Sequence, residues 1–285
     1  MAQNPHTSEA QSDDLWRAVL TGQHPALSRG RRLFKLLPSP SGPRCKMCLA
    51  PFSGVGAPLM RLLGRRPWHK NPHWCTICEK FVREHPGGAE MEVALVFADV
   101  RGSTALAEGM APAEFSRVIR RFYTAATRIL TANDAIIDKL VGDEVIGVYL
   151  PGLSGPDYAR RAVNAARDLL EATGHGTRGG PWMPVGVGVH TGPAFVGSIG
   201  AEDGVTDFTA LGDTMNVAAR LVAAAGAGEI IVSEAAYKAS GLDLPDAERR
   251  QLTLKGHLQP IEVYILRNAS DKHTKAASGA PGDPR

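Results

Sequence analysis

The sequence lacks the features that mark a membrane or secreted protein. No run of 18 or more residues is apolar enough to span a bilayer, and the polar first 14 residues do not resemble a signal peptide. Cysteine is absent after residue 78, although 44% of the 285 residues are hydrophobic and can form a sizeable core. We therefore expect a cytoplasmic protein with one large domain and a smaller segment that holds every cysteine.

Acidic residues are scarce in the first third of the chain. Residues 1–90 contain 13 Lys and Arg against 6 Asp and Glu, and residues 29–46 contain six basic residues and no acid. Such a segment could dock on the acidic remainder of the protein, on nucleic acid or, through a short amphipathic helix, on a membrane surface. We expect docking within the protein or across a dimer, rather than a membrane or nucleic-acid partner.

The four cysteines form two pairs with CxxC spacing. They are Cys45 and Cys48, followed by Cys75 and Cys78. Four thiolates on two tight knuckles predict a structural zinc site, with an iron-sulfur cluster or two disulfides as alternatives. His69 and His73 lie near the second pair and could replace a ligand. The surrounding segment is poor in core residues, so metal binding would supply much of its folding energy.

Two aspartates in the remaining sequence have matched surroundings. Asp99 and Asp143 each follow apolar residues and have a glycine nearby, which predicts two acids at the ends of buried strands. Two carboxylates about 4 Å apart would repel by roughly 4 kcal/mol at an effective dielectric constant near 20. A bound divalent cation removes that cost, and Mg²⁺ commonly bridges carboxylates to phosphate oxygens.

A second set of polar residues suits a phosphate-bearing ligand. Asn216 and Arg220 are four residues apart on a predicted helix and therefore share one face. Arginine offers a fixed fork of donors to phosphate oxygens, and asparagine can orient a ribose or phosphate without adding charge. Gly102, Ser103 and Thr104 stand at a predicted strand-to-helix turn, where backbone donors can cradle phosphate or simply cap the helix.

Five motifs, in order, resemble the class III nucleotidyl cyclases, which convert a nucleoside triphosphate to its 3′,5′-cyclic monophosphate and pyrophosphate. The resemblance covers residues 91–268. The motifs lie at 97–104 (Phe-Ala-Asp-Val-Arg-Gly-Ser-Thr), 139–143 (Lys-Leu-Val-Gly-Asp), 186–192 (Gly-Val-Gly-Val-His-Thr-Gly), 211–220 (Leu-Gly-Asp-Thr-Met-Asn-Val-Ala-Ala-Arg) and 254–256 (Leu-Lys-Gly).

The resemblance assigns roles to several residues. It implies that Asp99 and Asp143, with the carbonyl of Val100, hold two Mg²⁺ or Mn²⁺ ions. Lys139 and Thr209 match the positions that read the purine, and a lysine there favours adenine, because guanine-selective relatives typically carry an acid. Many adenine-selective relatives carry Asp where this chain has Thr209.

The remaining roles concern the ribose and the phosphates. Asn216 and Arg220 match the pair that steadies the ribose and the charge on the α-phosphate. Lys255 falls where a lysine meets the terminal phosphates.

The resemblance also implies an assembly. In this family metal ligands come from one protomer and the base-reading and Asn/Arg residues from the other, so a head-to-tail homodimer is expected. We predict an adenylate cyclase that acts on ATP and is regulated by its N-terminal module. The alternatives are a guanylate cyclase of the same fold and a non-catalytic module that senses nucleotide or serves as a scaffold.

Hydrophobic periodicity predicts an α+β ferredoxin-like sandwich behind a small, partly helical metal-binding module. The predicted segments are a disordered stretch at 1–12, the module at 13–88, the catalytic domain at 91–268 and a disordered tail at 269–285. Predicted helices cover 112–130, 157–172, 212–224 and 233–239. Predicted strands cover 92–99, 135–140, 144–150, 184–190, 194–199, 205–210, 229–232 and 261–266.

Overall fold

The computed structural model describes residues 5–36, 42–69, 71–200, 206–254 and 260–267. The helices are α1 (Pro5–Leu20), α2 (Pro25–Lys35), α3 (Ala57–Leu62), α4 (Thr76–Glu84), α5 (Ser103–Glu108), α6 (Pro112–Ala132), α7 (Pro151–Ser154), α8 (Tyr158–Ala172), α9 (Asp213–Ala224) and α10 (Glu234–Ser240). The strands are β1 (Gly87–Val100), β2 (Ile136–Val141), β3 (Glu144–Tyr149), β4 (Val185–Gly200), β5 (Thr206–Leu211), β6 (Glu229–Ser233), β7 (Glu248–Leu252) and β8 (Ile261–Arg267).

The strands form one sheet with the order β2-β3-β1-β4-β6-β8-β7, and β5 pairs with the far end of β4. Its first four strands are antiparallel neighbours and, with α6 and α8 between them in the chain, have the ferredoxin-like order. The predicted α+β class is therefore confirmed.

One face of the sheet, here called the helical face, is covered by α6, α8 and α10. Alternate residues of β1 point to it, including Ala94, Val96 and Ala98, all fully buried. They pack on Phe122 of α6 and Leu169 of α8, which lie on the apolar stripes of those helices. This face forms an ordinary sheet-and-helix core.

The opposite face, here called the site face, carries Asp99 and α9. The other alternate residues of β1, Val93, Leu95 and Phe97, are buried on it. Helix α9 lies very close to β4 because Gly188 has no side chain: a Cβ there would come within 2.5 Å of the backbone nitrogen of Val222. Glycine in the motif at 186–192 thus lets the helix approach the strand.

The N-terminal module packs on the site face beside α9. Trp16 of α1 and Trp74, which precedes Cys75, are both buried and contact Phe208 of β5. Their core is continuous with Val93 and Leu95 of the sheet. The expected docking of the basic segment within the protein is seen as well, because Lys46 forms an ion pair with Asp134 before β2.

The first helix begins earlier than the sequence predicts. Residues 5–12, expected to be disordered, belong to α1, whose later turns bury Trp16, Val19 and Leu20. Helix formation is cooperative, so a well-packed final turn favours extension toward the N-terminus. Residues 1–4 and the predicted tail at 269–285 lie outside the described residues, as does Lys255.

Two strand predictions also need correction. The predicted strands at 184–190 and 194–199 are in fact one continuous strand, β4. Pro193 is tolerated because β1 pairs with β4 there, while β6 and β5 pair with other parts of β4 and leave the second side open. Strand β7 was not predicted, since four of its five residues are charged or polar. Across the described residues, every helix is too short or too polar to cross a membrane.

Candidate functional site

Two strands and a turn bring the predicted acidic pair together. Asp99 lies near the end of β1, opposite Glu144 in β3. Asp143 occupies the turn between β2 and β3, and its backbone carbonyl accepts a 3.2 Å hydrogen bond from the N–H of Val100. The turn is tight because Gly142 adopts a φ of 61°. Asp99, Val100 and Asp143 therefore share one end of the sheet.

This acidic cluster carries more negative than positive charge. Arg101 donates from Nη2 to Oδ1 of Asp99. Burial raises the pKa of Asp99, an effect that Arg101 opposes and the charge of Asp143 reinforces. Burial, together with the charges of Asp99 and Asp143, raises the pKa of Glu144 to about 7. Three carboxylates near one guanidinium leave charge that a divalent cation would neutralise, and an all-oxygen donor set fits Mg²⁺ or Mn²⁺.

The predicted phosphate-binding turn directly follows the acids. Gly102, with a φ of 72°, precedes Ser103, the first residue of α5. The backbone N–H groups of Ser103 and Thr104 therefore lie in the first turn of a helix, where intrahelical partners are missing. Their position four and five residues beyond Asp99 is compatible with the predicted role.

The predicted base-reading residues contact each other directly. Lys139 Nζ donates a 2.7 Å hydrogen bond to Thr209 Oγ1, although β2 and β5 are not paired in the sheet. Thr209 is buried, and the side chain of Lys139 is 40% exposed. An ammonium and a hydroxyl thus meet at one point that solvent can reach.

Asp138 belongs to the same group and was missed by the sequence analysis. Its carboxylate lies 3.4 Å from Lys139 Nζ and is only 1% exposed. Burial raises its pKa, while Lys139 and a hydrogen bond with Thr209 oppose that shift. The available signal was an acid next to Lys139 in an otherwise apolar strand. Its burial results from a β-bulge between Ile137 and Lys139, which the sequence does not reveal.

Helix α9 presents the predicted Asn/Arg pair away from the sheet. Asn216 is exposed and Arg220 half-buried, whereas Val217, Ala218 and Leu221 face the core. Neither Asn216 nor Arg220 forms a hydrogen bond or ion pair with any residue that the structure describes. Arg220 also does not contribute to the pKa shifts of the acidic cluster. Within one chain, Arg220 therefore has no observed interaction with Asp99, Asp143 or Glu144.

The four cysteines lie together in the N-terminal module. Their sulfur atoms are all within 4.8 Å of one another and all four residues are buried. Cys45 Sγ is 3.7 Å from Cys78 Sγ, and Cys48 Sγ is 3.7 Å from Cys75 Sγ. A tetrahedral ion with metal-sulfur bonds of about 2.3 Å holds its sulfurs about 3.8 Å apart. The geometry therefore suits one tetrahedral ion, whereas a multi-iron cluster would separate the thiolates further.

The four thiols have unequal surroundings. Arg65 Nη1 lies 3.4 Å from Cys48 Sγ and 3.6 Å from Cys75 Sγ. Hydrogen bonds from the other thiols, first that of Cys45, lower the pKa of Cys75. Burial raises the pKa of Cys45, and hydrogen bonding with Cys45 raises the pKa of Cys78. A divalent ion with four thiolates keeps a net negative charge, which the guanidinium would offset. His69 and His73 are not members of the cluster.

Comparison with known proteins agrees with this geometry. Residues 88–268 match the family described as "Adenylate and Guanylate cyclase catalytic domain". Adenylate cyclase 1 of Rhizobium meliloti is 32% identical over 145 residues, which cover 48% of this chain and 22% of that protein. An adenylate cyclase of Mycobacterium bovis is 29% identical over 167 residues, covering 58% of this chain and 37% of that one.

Two solved structures have the same fold. The guanylyl cyclase Cya2 superposes with a TM-score of 0.55 at 25% identity, covering 66% of this chain and 98% of that one. The adenylyl cyclase CyaB from P. aeruginosa superposes with a TM-score of 0.54 at 25% identity, covering 63% and 95%. The chain spans well under half the length of the curated relatives above. Because the family match covers more than half of its residues, the chain belongs to the class III adenylate and guanylate cyclase catalytic domain family.

Proposed function

We propose that the protein is an adenylate cyclase that converts ATP to 3′,5′-cyclic AMP and pyrophosphate. The observation that carries this proposal is the 2.7 Å bond between Lys139 and Thr209, on a chain that also clusters Asp99 with Asp143. Base-reading groups and a carboxylate clamp are both needed for cyclisation of a nucleoside triphosphate. Family membership supports the reaction class, while the choice of ATP rests on Lys139 and Thr209.

The reaction is an in-line attack of the ribose 3′-oxygen on the α-phosphorus. Asp99, Asp143 and the Val100 carbonyl would hold two Mg²⁺ or Mn²⁺ ions, which when bound lower the pKa of the 3′-hydroxyl and neutralise the leaving pyrophosphate. Asn216 would orient the ribose, and Arg220 would stabilise charge that develops on the α-phosphate.

The other phosphates have separate partners in this proposal. The N–H groups of Ser103 and Thr104, after the flexible Gly102, would bind phosphate oxygens. Lys255, outside the described residues, would meet the terminal phosphates.

We further propose that two chains share each site in a head-to-tail homodimer. The lack of an effect of Arg220 on the pKa values of Asp99 and Glu144 in the same chain supports this arrangement, in which the guanidinium comes from the other chain. Exposed Leu140 and Val141 near the tip of the β2-β3 hairpin, 44% and 56% exposed, offer apolar contact area for the partner.

Adenine fits the observed group better than guanine. The Lys139 ammonium can donate to N1 of adenine, which is an acceptor, whereas N1 of guanine carries a hydrogen. The Thr209 hydroxyl can bond to the exocyclic group. Asp138 favours a guanylate cyclase instead, because a carboxylate could accept from the N1–H of guanine. Its bonds to Lys139 and Thr209 occupy that carboxylate.

The N-terminal module would bind one structural Zn²⁺ through Cys45, Cys48, Cys75 and Cys78 and regulate turnover. The sulfur separations support a single ion over an iron-sulfur cluster. Free buried thiols are typical of a reducing compartment, which agrees with a cytoplasmic location. A non-catalytic nucleotide sensor has no support of its own, since both acids and the Asn216-Arg220 pair are all present.

Product analysis tests the proposal. The full-length chain is incubated with Mn²⁺ or Mg²⁺ and either ATP or GTP, and the products are identified by mass spectrometry, with an Asp143→Ala variant as the control. We expect cyclic AMP from ATP and much less cyclic GMP from GTP. An equal or reversed preference would refute the adenylate assignment, and no cyclic product from either nucleotide would refute a catalytic function.

A further inference from the structure

A cavity of about 560 Å³ beside Lys139 has walls from both parts of the protein. The β2 strand contributes Asp138 and Lys139, and β5 contributes Asp207. The remaining wall includes His69 of the N-terminal module, which is exposed and whose ring lies edge-on to that of Trp68. Lys139, one of the two proposed purine-reading residues, therefore faces a space that the module helps to enclose.

Asn71 fixes the strand that carries Lys139. Its side-chain amide donates a 3.0 Å hydrogen bond to the carbonyl of Ile137, and its Oδ1 accepts a 2.9 Å bond from the N–H of Ile137. Asn71 is only 2% exposed. This pair of hydrogen bonds lies at the free edge of β2, just before the bulge at Asp138. It therefore fixes the backbone from which Asp138 and Lys139 project.

Trp74 supports the strand that carries Thr209. Its ring packs edge-on against Phe208, with ring centroids 4.8 Å apart, and Phe208 directly precedes Thr209 in β5. Both base-reading residues thus have a neighbour held by the same short loop of the module.

The cysteine cluster holds that loop in place. The N–H of Trp74 donates to the carbonyl of Asn71 at 2.9 Å, and the N–H of Trp68 donates to the carbonyl of Trp74 at 2.8 Å. Trp74 is covalently followed by Cys75, one of the four clustered thiols. The path from the metal-binding centre to Ile137 and Phe208 consists of buried contacts.

We propose that residues 65–69 and 71–75 of the module form part of the purine site, with Asn71 as a positioning residue for Lys139 and His69 as a residue that determines base preference. This inference rests on the proposed cyclase function and deepens it: the loop anchored at the cysteine cluster sets nucleotide affinity through these contacts. It does not act on the carboxylate clamp, to which the loop makes no contact among the described residues.

Steady-state kinetics of three full-length variants test the proposal. Asn71→Ala removes the two hydrogen bonds to Ile137, and His69→Ala changes only the cavity wall. Lys46→Ala is the matched control, because it breaks a different contact between the module and the sheet, the ion pair with Asp134. For each variant, kcat and KM are measured with ATP and GTP. Metal content and melting temperature are measured in parallel.

We expect Asn71→Ala to raise KM for ATP about tenfold with kcat within about twofold, as for a loss of uniform substrate binding. His69→Ala should change the ATP to GTP ratio of kcat/KM by about threefold or more at an unchanged melting temperature. Lys46→Ala should alter neither quantity.

A failure of this inference can be distinguished from a failure of the proposed cyclase function. An active wild type in which both Asn71→Ala and His69→Ala keep the KM and the ATP to GTP ratio overturns this inference alone. If Lys46→Ala raises KM as much as Asn71→Ala, the effect is a general loosening of the module and the inference is equally overturned. A wild type that forms no cyclic nucleotide overturns the proposed function and this inference with it. If Asn71→Ala does not fold, the ATP to GTP ratio of kcat/KM for His69→Ala, a change at an exposed residue, still tests the inference.

Discussion

Mixing two inactive variants would reveal whether the site is shared between chains. Asp99→Ala removes a proposed ligand of the catalytic metal ions, and Arg220→Ala removes the guanidinium proposed for the α-phosphate. Each variant alone should lose about 10²- to 10³-fold in kcat, the usual effect of deleting a group that stabilises charge in the transition state. Arg220 has no bonded partner among the described residues, so its loss should not disturb folding.

The expected recovery can be calculated. If each site takes its acids from one protomer and its arginine from the other, a mixed dimer contains one doubly defective site and one intact site. Random exchange of equal amounts places about half of the chains in mixed dimers, so the mixture should reach about one quarter of wild-type activity at the same total concentration.

Cyclic AMP formation by the mixture is followed over time, because subunit exchange sets the rate of recovery. A mixture of Asp99→Ala with Asp143→Ala is the control, since both changes affect the clamp and no intact site can form. Activity of the Asp99→Ala and Arg220→Ala mixture that stays at the average of the two single variants, despite proven subunit exchange, would refute the shared site.

Three further predictions concern the base, the acids and the cysteines. Lys139→Ala should lower kcat/KM for ATP by about 10- to 100-fold, the effect of losing a hydrogen bond from a charged group, and by less for GTP; equal losses would show that Lys139 does not read the base. Folded Glu144 keeps its proton up to about pH 7, whereas the unfolded side chain releases it near 4.5. In buffer without Mg²⁺ or Mn²⁺, the melting temperature should therefore fall as pH rises from about 5 to 7, and Glu144→Gln should flatten that slope. An unchanged slope in the variant would contradict the raised pKa of Glu144. Elemental analysis should find one zinc per chain, lost together with thermal stability in Cys78→Ser; iron with strong visible absorption would contradict a zinc site.

The sequence predicted the framework of the catalytic fold well. Helix α6 and the β2-β3 hairpin were expected within two residues of their observed ends, because their apolar periodicity and the Gly142-Asp143 turn are local signals. Strand β7 and the unbroken β4 were not predicted. Whether a polar segment forms an edge strand, and whether a strand continues through a proline, depends on the neighbouring strands.

The candidate site was predictable only in part. Asp99, Asp143, Lys139 and Thr209 follow from motifs, but no motif indicates that the Lys139 amine bonds to the Thr209 hydroxyl. Asp138 and Asn71 were missed because their roles depend on a bulge and on a contact between residues 66 positions apart in the chain. The expected boundary at residue 88 also falls inside β1, which begins at Gly87.

The core shared by the module and the sheet affects the order of events during synthesis. Trp16 and Trp74 leave the ribosome early, yet Phe208, the ring that both contact, is made about 130 residues after Cys78. At ordinary translation rates this interval lasts roughly 6 to 26 seconds. We expect the nascent thiols to stay accessible to oxidants and competing metals throughout that time, so correct maturation would depend on how quickly the downstream strands arrive.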